Sequence, residues 1–462
     1  MYYNKYVMFR RQVKNLLFDF PKIYNNIFIR CLMEIKVYPE EPLVDDKISI
    51  TISGLSPQQK VTVKTSVTEV KSTFSSSACF ISDASGHVFI DKQPSLLGTY
   101  TGVDGMGLFW SMTADPGQQK GLRYIKRDVT TPQVVNLSVF EDHYSWSDCH
   151  NISQEPLVSS EVERWFLHKS VKREVIRDGI LRGTLFTPSG PGPFPGVIDM
   201  FGTAGGLIEF RAAILASRGF IVFALPYFQH EDLPESMTDI NFDYLKESID
   251  WFSNHSDVIN NGVGILGVSK GAEIALMLSV ECPQVKSVVN INGTPFCSYF
   301  PLGPFTNVVE SDFSRFQYTD EGIHIWDAMN THFKPDHVLK IIYVRILFFK
   351  TWESDVQILY IIGEDDKSVD PNYANVVYNC YPDNQKHKLT IQKYPNAGHL
   401  IEPAYLPVCR ASFHKMFGFV FVWGGIPEDH ARAQEDSWKS ILHFFKRTLL
   451  TNNKGKSFSS QL

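Results

Sequence analysis

Gly267-Val268-Ser269-Lys270-Gly271 sets a serine between two glycines. It joins an apolar run, Gly264-Ile265-Leu266-Gly267-Val268, to a helix-favouring one, Ala272-Glu273-Ile274-Ala275-Leu276. In a strand–turn–helix elbow the glycines relieve crowding around a strained, exposed serine whose hydroxyl becomes a nucleophile. The five-residue pattern alone is weak, because a glycine-bounded turn with a serine N-cap has the same composition; the flanking strand and helix give it weight. Such a serine needs a base, and the base an orienting acid, in the chain order serine, acid, histidine. Residues 358–362 form an apolar strand candidate that runs into Gly363-Glu364-Asp365-Asp366. A later strand candidate, Leu389-Thr390-Ile391-Gln392, leads to Tyr394-Pro395-Asn396-Ala397-Gly398-His399. His399, in a loop after the last strand, is the expected base, and Asp366, preferred to Asp365, the expected acid. An acyl oxyanion also needs backbone donors. The N–H of Lys270 supplies one, and Gly202 or Thr203, in the glycine-rich Phe201-Gly202-Thr203-Ala204-Gly205-Gly206, the other. Nothing resembles a Walker loop, an HExxH or a G-x-G-x-x-G on a leading strand, so neither metal nor cofactor is expected.

The elements that must hold these residues fall into two zones. From residue 34 to about 151 the chain reads as β. Ile48-Ser49-Ile50-Thr51-Ile52 and Val61-Thr62-Val63 alternate with period two, and Ser85-Gly86 lies between two short apolar runs as a hairpin turn. Short strands with turn signals predict an antiparallel sandwich. From about residue 171 a hairpin at Asp178-Gly179 leads into the buried run at 196–201. Apolar strand candidates recur at 220–225, 263–268, 285–291 and 356–362, with helical stretches at 242–254 and 270–279. Continuous apolar strands alternating with helices predict a parallel sheet covered on both faces. Residues 431–449 have helical spacing, with Trp438, Ile441, Leu442 and Phe445 on one face. The predicted fold class is α/β, a parallel-sheet domain (161–450) preceded by an antiparallel β-sandwich (34–160), with a leader or extension at 1–33 and a polar tail at 451–462.

At this level of detail the chain resembles the peroxisomal, mitochondrial and cytosolic acyl-CoA thioesterases that share a family with bile acid-CoA:amino acid N-acyltransferase. The resemblance runs from about Met33 to Thr448. It rests on the stretches beginning Gly192-Pro193-Phe194-Pro195-Gly196, Gly205-Gly206-Leu207-Ile208-Glu209, Glu231-Asp232-Leu233-Pro234, Gly267-Val268-Ser269-Lys270-Gly271, Gly398-His399-Leu400-Ile401-Glu402 and Trp423-Gly424-Gly425. Lys126-Arg127-Asp128-Val129-Thr130-Thr131-Pro132 fits in the first domain, and Cys409-Arg410-Ala411-Ser412 late in the second. It implies a sandwich joined to an α/β-hydrolase domain with a nucleophile–Asp–His triad, here Ser269, Asp366 and His399, the aspartate matching the second of its pair. Conjugating members use cysteine as nucleophile. Ser269 therefore favours hydrolysis of fatty acyl-CoA over transfer to glycine or taurine, with a carboxylesterase or dienelactone-hydrolase-like enzyme and a silent acyl-CoA binder as alternatives. The apolar run 338–350 and the basic leader depart from the family pattern.

Composition bounds the partners. Lys and Arg number 44 against 50 Asp and Glu, without the basic excess of a nucleic-acid binder. Seven widely spaced cysteines with no C-x-x-C argue against a disulfide framework or zinc site and for a reducing compartment. No run reaches the roughly 20 apolar residues of a membrane span, so a soluble protein is expected. Residues 1–33 carry six Lys or Arg against Asp19 and read as an organelle-targeting segment or a silent extension. Ser460-Gln461-Leu462 approximates a peroxisomal S-K-L address, which makes peroxisome the expected location, with mitochondrion or cytosol as alternatives, and a peroxisomal import receptor an expected partner.

Overall fold

The computed structural model describes residues 33–309, 312–325 and 348–450. Residues 1–32 of the leader, residues 338–347 of the apolar run, and the tail with Ser460-Gln461-Leu462 lie outside the described residues. The first domain has two antiparallel sheets. One orders β1 (Glu34–Tyr38), β2 (Ser49–Ser53) and β5 (Val88–Phe89). The other runs β6-β4-β3-β7-β8, where β3 is Lys60–Glu69, β4 Ser72–Ile81, β6 Thr113–Ala114, β7 Gln133–Glu141 and β8 Val158–Arg164. Ile50 and Ile52 of one sheet meet Val61, Val63, Leu137 and Val139 of the other in a shared core, as period-two burial requires. β8 runs across the expected 160/161 boundary and belongs to this sheet.

The expected hairpin at Ser85-Gly86 is a turn of a different kind. β4 pairs with β3, whereas β5 pairs with β2, so this turn carries the chain from one sheet to the other. Close packing explains it. Gly86 has φ +74° and its carbonyl accepts the Leu55 N–H at 3.1 Å, while a Cβ there would lie 2.0 Å from the Leu55 oxygen.

The second domain is built on an eight-stranded sheet, β20-β19-β14-β13-β11-β12-β10-β9. Its strands are β9 (Lys172–Asp178), β10 (Leu181–Thr187), β11 (Gly196–Met200), β12 (Ile221–Ala224), β13 (Val263–Val268), β14 (Val285–Ile291), β19 (Gln357–Gly363) and β20 (Leu389–Tyr394). The six from β11 onward are parallel, and the β9–β10 hairpin, turning at Gly179 as expected, adds an antiparallel edge. Both faces are covered. Val197, Val222, Leu266, Val289 and Leu359 point to the face shared with the sandwich, where α2 (Phe210–Ser217) and α6 (Pro427–Leu450) pack. Their neighbours Ile198, Phe223, Ile265, Val288 and Ile358 point to the other, covered by α3 (Phe242–Ser253), α4 (Lys270–Glu281) and α5 (Tyr373–Cys380). (α1 is the short turn Gly107–Trp110 of the first domain.) Of the smaller strands, β15 (Cys297–Ser298) pairs with β16 (Val308–Val309). β17 (Gln317–Tyr318) and β18 (Ile323–His324), before the His399 loop, join β21 (Ala411–His414) and β22 (Phe419–Val422), after it, in a four-stranded sheet that periodicity did not reveal. The six described cysteines are buried and none is in a disulfide among the described residues, and no described helix is long and apolar enough to cross a membrane.

Polar bonds tie the domains together. Arg218, just past α2, holds Asp45 at 2.6 Å and 2.9 Å and Asp46 at 2.7 Å, and the Trp438 indole of α6 donates to Asp45 at 2.8 Å. Deeper in, Arg211 of α2 donates to Asp199 of β11 at 2.7 Å and to the Met200 carbonyl at 3.0 Å, and its guanidinium lies 4.2 Å from the Phe201 ring. Burial pushes the Asp199 carboxyl up and Arg211 draws it back down. Arg211→Met should lower stability by about 3–5 kcal/mol, because it strands a buried carboxylate, while Asp199→Leu/Arg211→Met should cost clearly less. Urea unfolding of the three proteins checks this; equal losses in single and double variants would refute it.

Candidate active site

Ser269 joins β13 to α4 with φ +54° and ψ −125°, a conformation costly for any residue with a side chain. Its glycine neighbours permit the turn. A Cβ on Gly267 would lie 2.5 Å from the Ala272 backbone, and one on Gly271 2.4 Å from the Phe201 oxygen. The Ser269 N–H donates to the Ile291 carbonyl at 2.9 Å, fixing the serine against the end of β14. Behind it the Lys270 side chain turns inward. Its ammonium donates to Glu273 and to the Ser298 carbonyl (2.8 Å) and lies 4.4 Å from the Phe300 ring. Glu273 also accepts from Thr294 Oγ1 at 2.7 Å and from the Ser298 N–H at 3.0 Å, so both of its oxygens are hydrogen-bonded. The N–H of Lys270 belongs to the first turn of α4, where no carbonyl four residues back is available to it.

The other two expected residues meet. His399 Nδ1 lies 2.7 Å from Asp366 Oδ2, both side chains being almost wholly buried. Asp366 Oδ1 accepts the N–H groups of Ser368 (2.7 Å) and Val369 (3.0 Å), so the carboxylate is held from both ends. With an acceptor-only carboxylate at Nδ1, that nitrogen carries the hydrogen and Nε2 is left as the basic atom. Asp365 is employed elsewhere, accepting the Gly425 N–H at 2.8 Å and pairing with Lys367. Ser269, His399, Gly202 and Thr203 line one cavity of about 520 Å³. Ser269 and His399 are not directly hydrogen-bonded to each other, as is often so for a nucleophile and its base in the absence of substrate. Gly202 fits against the serine, since a Cβ there would sit 2.9 Å from Ser269 Cβ. The buried Tyr227 hydroxyl donates to the Phe201 and Gly202 carbonyls, anchoring the loop through its acceptors.

Four residues that sequence reasoning missed hold these groups. Asn292, at the end of β14, donates to the carbonyls of Gly398 (3.1 Å) and His399 (2.8 Å) and accepts the Gly363 N–H at 2.9 Å. His430 of α6 accepts the Gly398 N–H at Nδ1 (2.9 Å) and donates from Nε2 to the Leu400 carbonyl (2.8 Å), bracketing His399. Trp423 stacks on the His399 ring, with centroids 5.4 Å apart, and its carbonyl accepts the His399 N–H at 2.9 Å. His414 of β21 bonds Thr203 Oγ1 at 2.7 Å and so ties the late hairpin to the glycine-rich loop. Two of the four left a signal: His430 shares the buried face of α6 with Trp438 and Ile441, and Trp423 opens one of the stretches that carry the family resemblance.

Comparisons with known proteins show the family to which the chain belongs. Residues 45–178 match the model described as the acyl-CoA thioester hydrolase/BAAT N-terminal region, and residues 240–451 the BAAT/acyl-CoA thioester hydrolase C terminal. Human acyl-coenzyme A thioesterase 2, mitochondrial, is 36% identical over 88% of this chain and 82% of its own. Mouse bile acid-CoA:amino acid N-acyltransferase is also 36% identical, over 93% of this chain and all of its own. A solved putative dienelactone hydrolase from Klebsiella pneumoniae aligns with 60% of this chain and 98% of its own at 16% identity and a TM-score of 0.37. The fold and site define an α/β-hydrolase with an N-terminal β-sandwich. The chain belongs to the acyl-CoA thioester hydrolase/bile acid-CoA:amino acid N-acyltransferase family.

Burial pushes the imidazoles of His430 and His414 down to about 4. An unfolded histidine titrates near 6.5, so the unfolded chain takes up these protons first as the pH falls. The stability they contribute is present above about pH 6.5 and is lost toward pH 4, on the order of 3 kcal/mol for each. His430→Asn should therefore flatten the fall of melting temperature between pH 6.5 and 4. An unchanged slope would count against the assignment.

Proposed function

We propose that the chain is an acyl-CoA thioester hydrolase that works through Ser269, His399 and Asp366. The observation that carries this reading is a serine on a strained elbow sharing one cavity with a histidine whose far nitrogen is bonded to a buried aspartate. Ser269 Oγ attacks the thioester carbonyl carbon while His399 Nε2 takes its proton, and Asp366 keeps the imidazole in that tautomer. The oxyanion is received by the N–H of Lys270 and an N–H at Gly202 or Thr203. Collapse breaks the C–S bond, and the departing sulfur takes the proton from His399, which is free to act as base again. A thiol of ordinary pKa about 8.5 needs less protonation to leave than an amine would. Water, giving its proton to His399, then cleaves the acyl-enzyme, and the fatty acid departs. No metal or redox cofactor enters the scheme.

The similarity to the N-acyltransferase supports a second reading, in which an amine takes the place of water. The serine at position 269, where conjugating members carry cysteine, favours water. Thiol release from a panel of acyl-CoAs, with and without glycine or taurine, separates the two: release without an amine is expected. Ser269→Ala should lower kcat by roughly 10⁴-fold or more, and Asp366→Asn by about 10⁴-fold at unchanged melting temperature. A fully active Ser269→Ala would sink the scheme. The proposal includes peroxisomal delivery through Ser460-Gln461-Leu462. A tagged chain should relocate when those three residues are removed.

A further inference from the structure

The cavity holding Ser269 and His399 has an unusual charge balance. Lys120, Arg123 and Arg127 approach it from the first domain and Lys415 from the β21–β22 turn, and among the described residues no Asp or Glu lines it. This occurs in a chain whose acids outnumber its bases, 50 to 44. Only Arg123 among the four is neutralised, by Glu402. Lys120 donates to the backbone carbonyl of Asp320, which fixes its position but leaves its charge uncompensated. Arg127 and Lys415 are exposed and enter no salt bridge among the described residues.

These two are free in charge but anchored in backbone. The Arg127 N–H donates to Glu69 at 2.8 Å, and the adjacent Lys126 is buried against Glu69, Thr131 and the Pro132 carbonyl. Glu69 is thereby consumed by the backbone and by Lys126, which leaves the Arg127 guanidinium available. Lys415 follows His414, whose ring is bonded to Thr203 at the glycine-rich loop. Both cations thus stand at fixed places around the mouth of the cavity.

Size supplies the second constraint. A cavity of about 520 Å³ suits a drug-sized ligand and cannot enclose a fatty acyl chain together with the whole of coenzyme A. The part left outside is the nucleotide, which carries the phosphates, and guanidinium and ammonium groups are the side chains that bind phosphate oxygens.

We infer that Arg127 and Lys415, aided by Lys120, form a binding site for the phosphorylated nucleotide end of a CoA thioester. The segment 119–127 of the β-sandwich domain supplies the substrate-selecting half of the site. The inference rests on the thioesterase reading and assigns the first domain a direct role in recognition, where the catalytic scheme needs only the second. It also gives Lys126-Arg127-Asp128 a division of labour: Lys126 holds the loop and Arg127 meets the ligand.

The test is titration calorimetry with CoA and with pantetheine, which lacks the nucleotide, on the full chain. The wild type should bind CoA at least tenfold more tightly, and raising the salt from 50 to 300 mM should shrink the difference through screening. Arg127→Glu/Lys415→Glu should abolish the preference, while Lys36→Glu, an exposed charge reversal on β1, should keep it. In turnover the double variant should raise KM for an acyl-CoA far more than it lowers kcat. Equal binding of CoA and pantetheine by the wild type, or an undiminished preference in the double variant, overturns the inference. The catalytic reading falls separately: a protein that binds CoA through this rim yet releases no thiol keeps the site and loses the thioesterase.

Discussion

The left-handed backbone of Ser269 is the constraint around which the second domain is arranged. With φ at +54° the residue sits where a Cβ is unwelcome, at a cost of about 1–3 kcal/mol that must be offset by what surrounds it. The offset is local and identifiable. Gly267 and Gly271 let α4 and the end of β11 close on the turn, Ser269 N–H is tied to β14, and the Lys270–Glu273 pair bolts the first turn of α4 to the Thr294–Ser298 segment. Because that segment follows β14, the same strand end that receives the serine N–H also supplies Asn292, the clamp on the His399 loop. One strand terminus thus fixes the positions of the serine and the histidine together.

The histidine side is held by many weak restraints instead of one strong one. Asn292, His430 and Trp423 each bind the backbone on either side of His399, while Asp366 and the Trp423 face set the ring. Each neutral hydrogen bond contributes only about 1 kcal/mol, but their directions differ, so the loop has few ways to move without losing several at once. Neutral His430 is suited to this work because one nitrogen accepts and the other donates. Protonation would turn the acceptor facing Gly398 into a second donor.

Much of this architecture was legible in the sequence where a residue pattern reports directly on its own element. The apolar runs at 196–201, 263–268 and 285–291 are strands buried on both faces, and the glycines around Ser269 announced the elbow. The order of Ser269, Asp366 and His399 led to the pairing of the last two. Patterns that depend on a distant partner were not legible. Val88–Phe89 looks like half of a hairpin with β4, and only its contact with β2 and the Leu55 backbone assigns it to the other sheet. α2 has no amphipathic stripe because Phe210–Ala216 are buried all round, so helical periodicity had nothing to detect. Asn292 and His414 are single polar residues whose importance lies in groups more than a hundred residues away in sequence.

Two buried ion pairs flank the loops that face the substrate: Asp199–Arg211 behind the glycine-rich loop and Lys270–Glu273 behind the elbow. Stability alone does not explain them, since well-packed apolar residues in such places often do as well or better. Their hydrogen bonds reach the backbone on which those loops rest: Arg211 holds the Met200 carbonyl at the end of β11, Lys270 the Ser298 carbonyl, and Glu273 the Ser298 N–H. Leucines could fill the same volume but could not specify where those backbone groups point. An oxyanion hole works only if its N–H donors are already aimed when charge develops, because a loop that must reorganise gives back part of what it gains. Charge balance matters for the same reason, since an unpaired, ionised Glu273 or Asp199 would place a negative potential behind the site proposed to stabilise a negative oxygen. The pairs keep the polar scaffolding of the loops while presenting little net charge to the reacting centre, and the cations left unpaired lie out at the rim, where the phosphates would be.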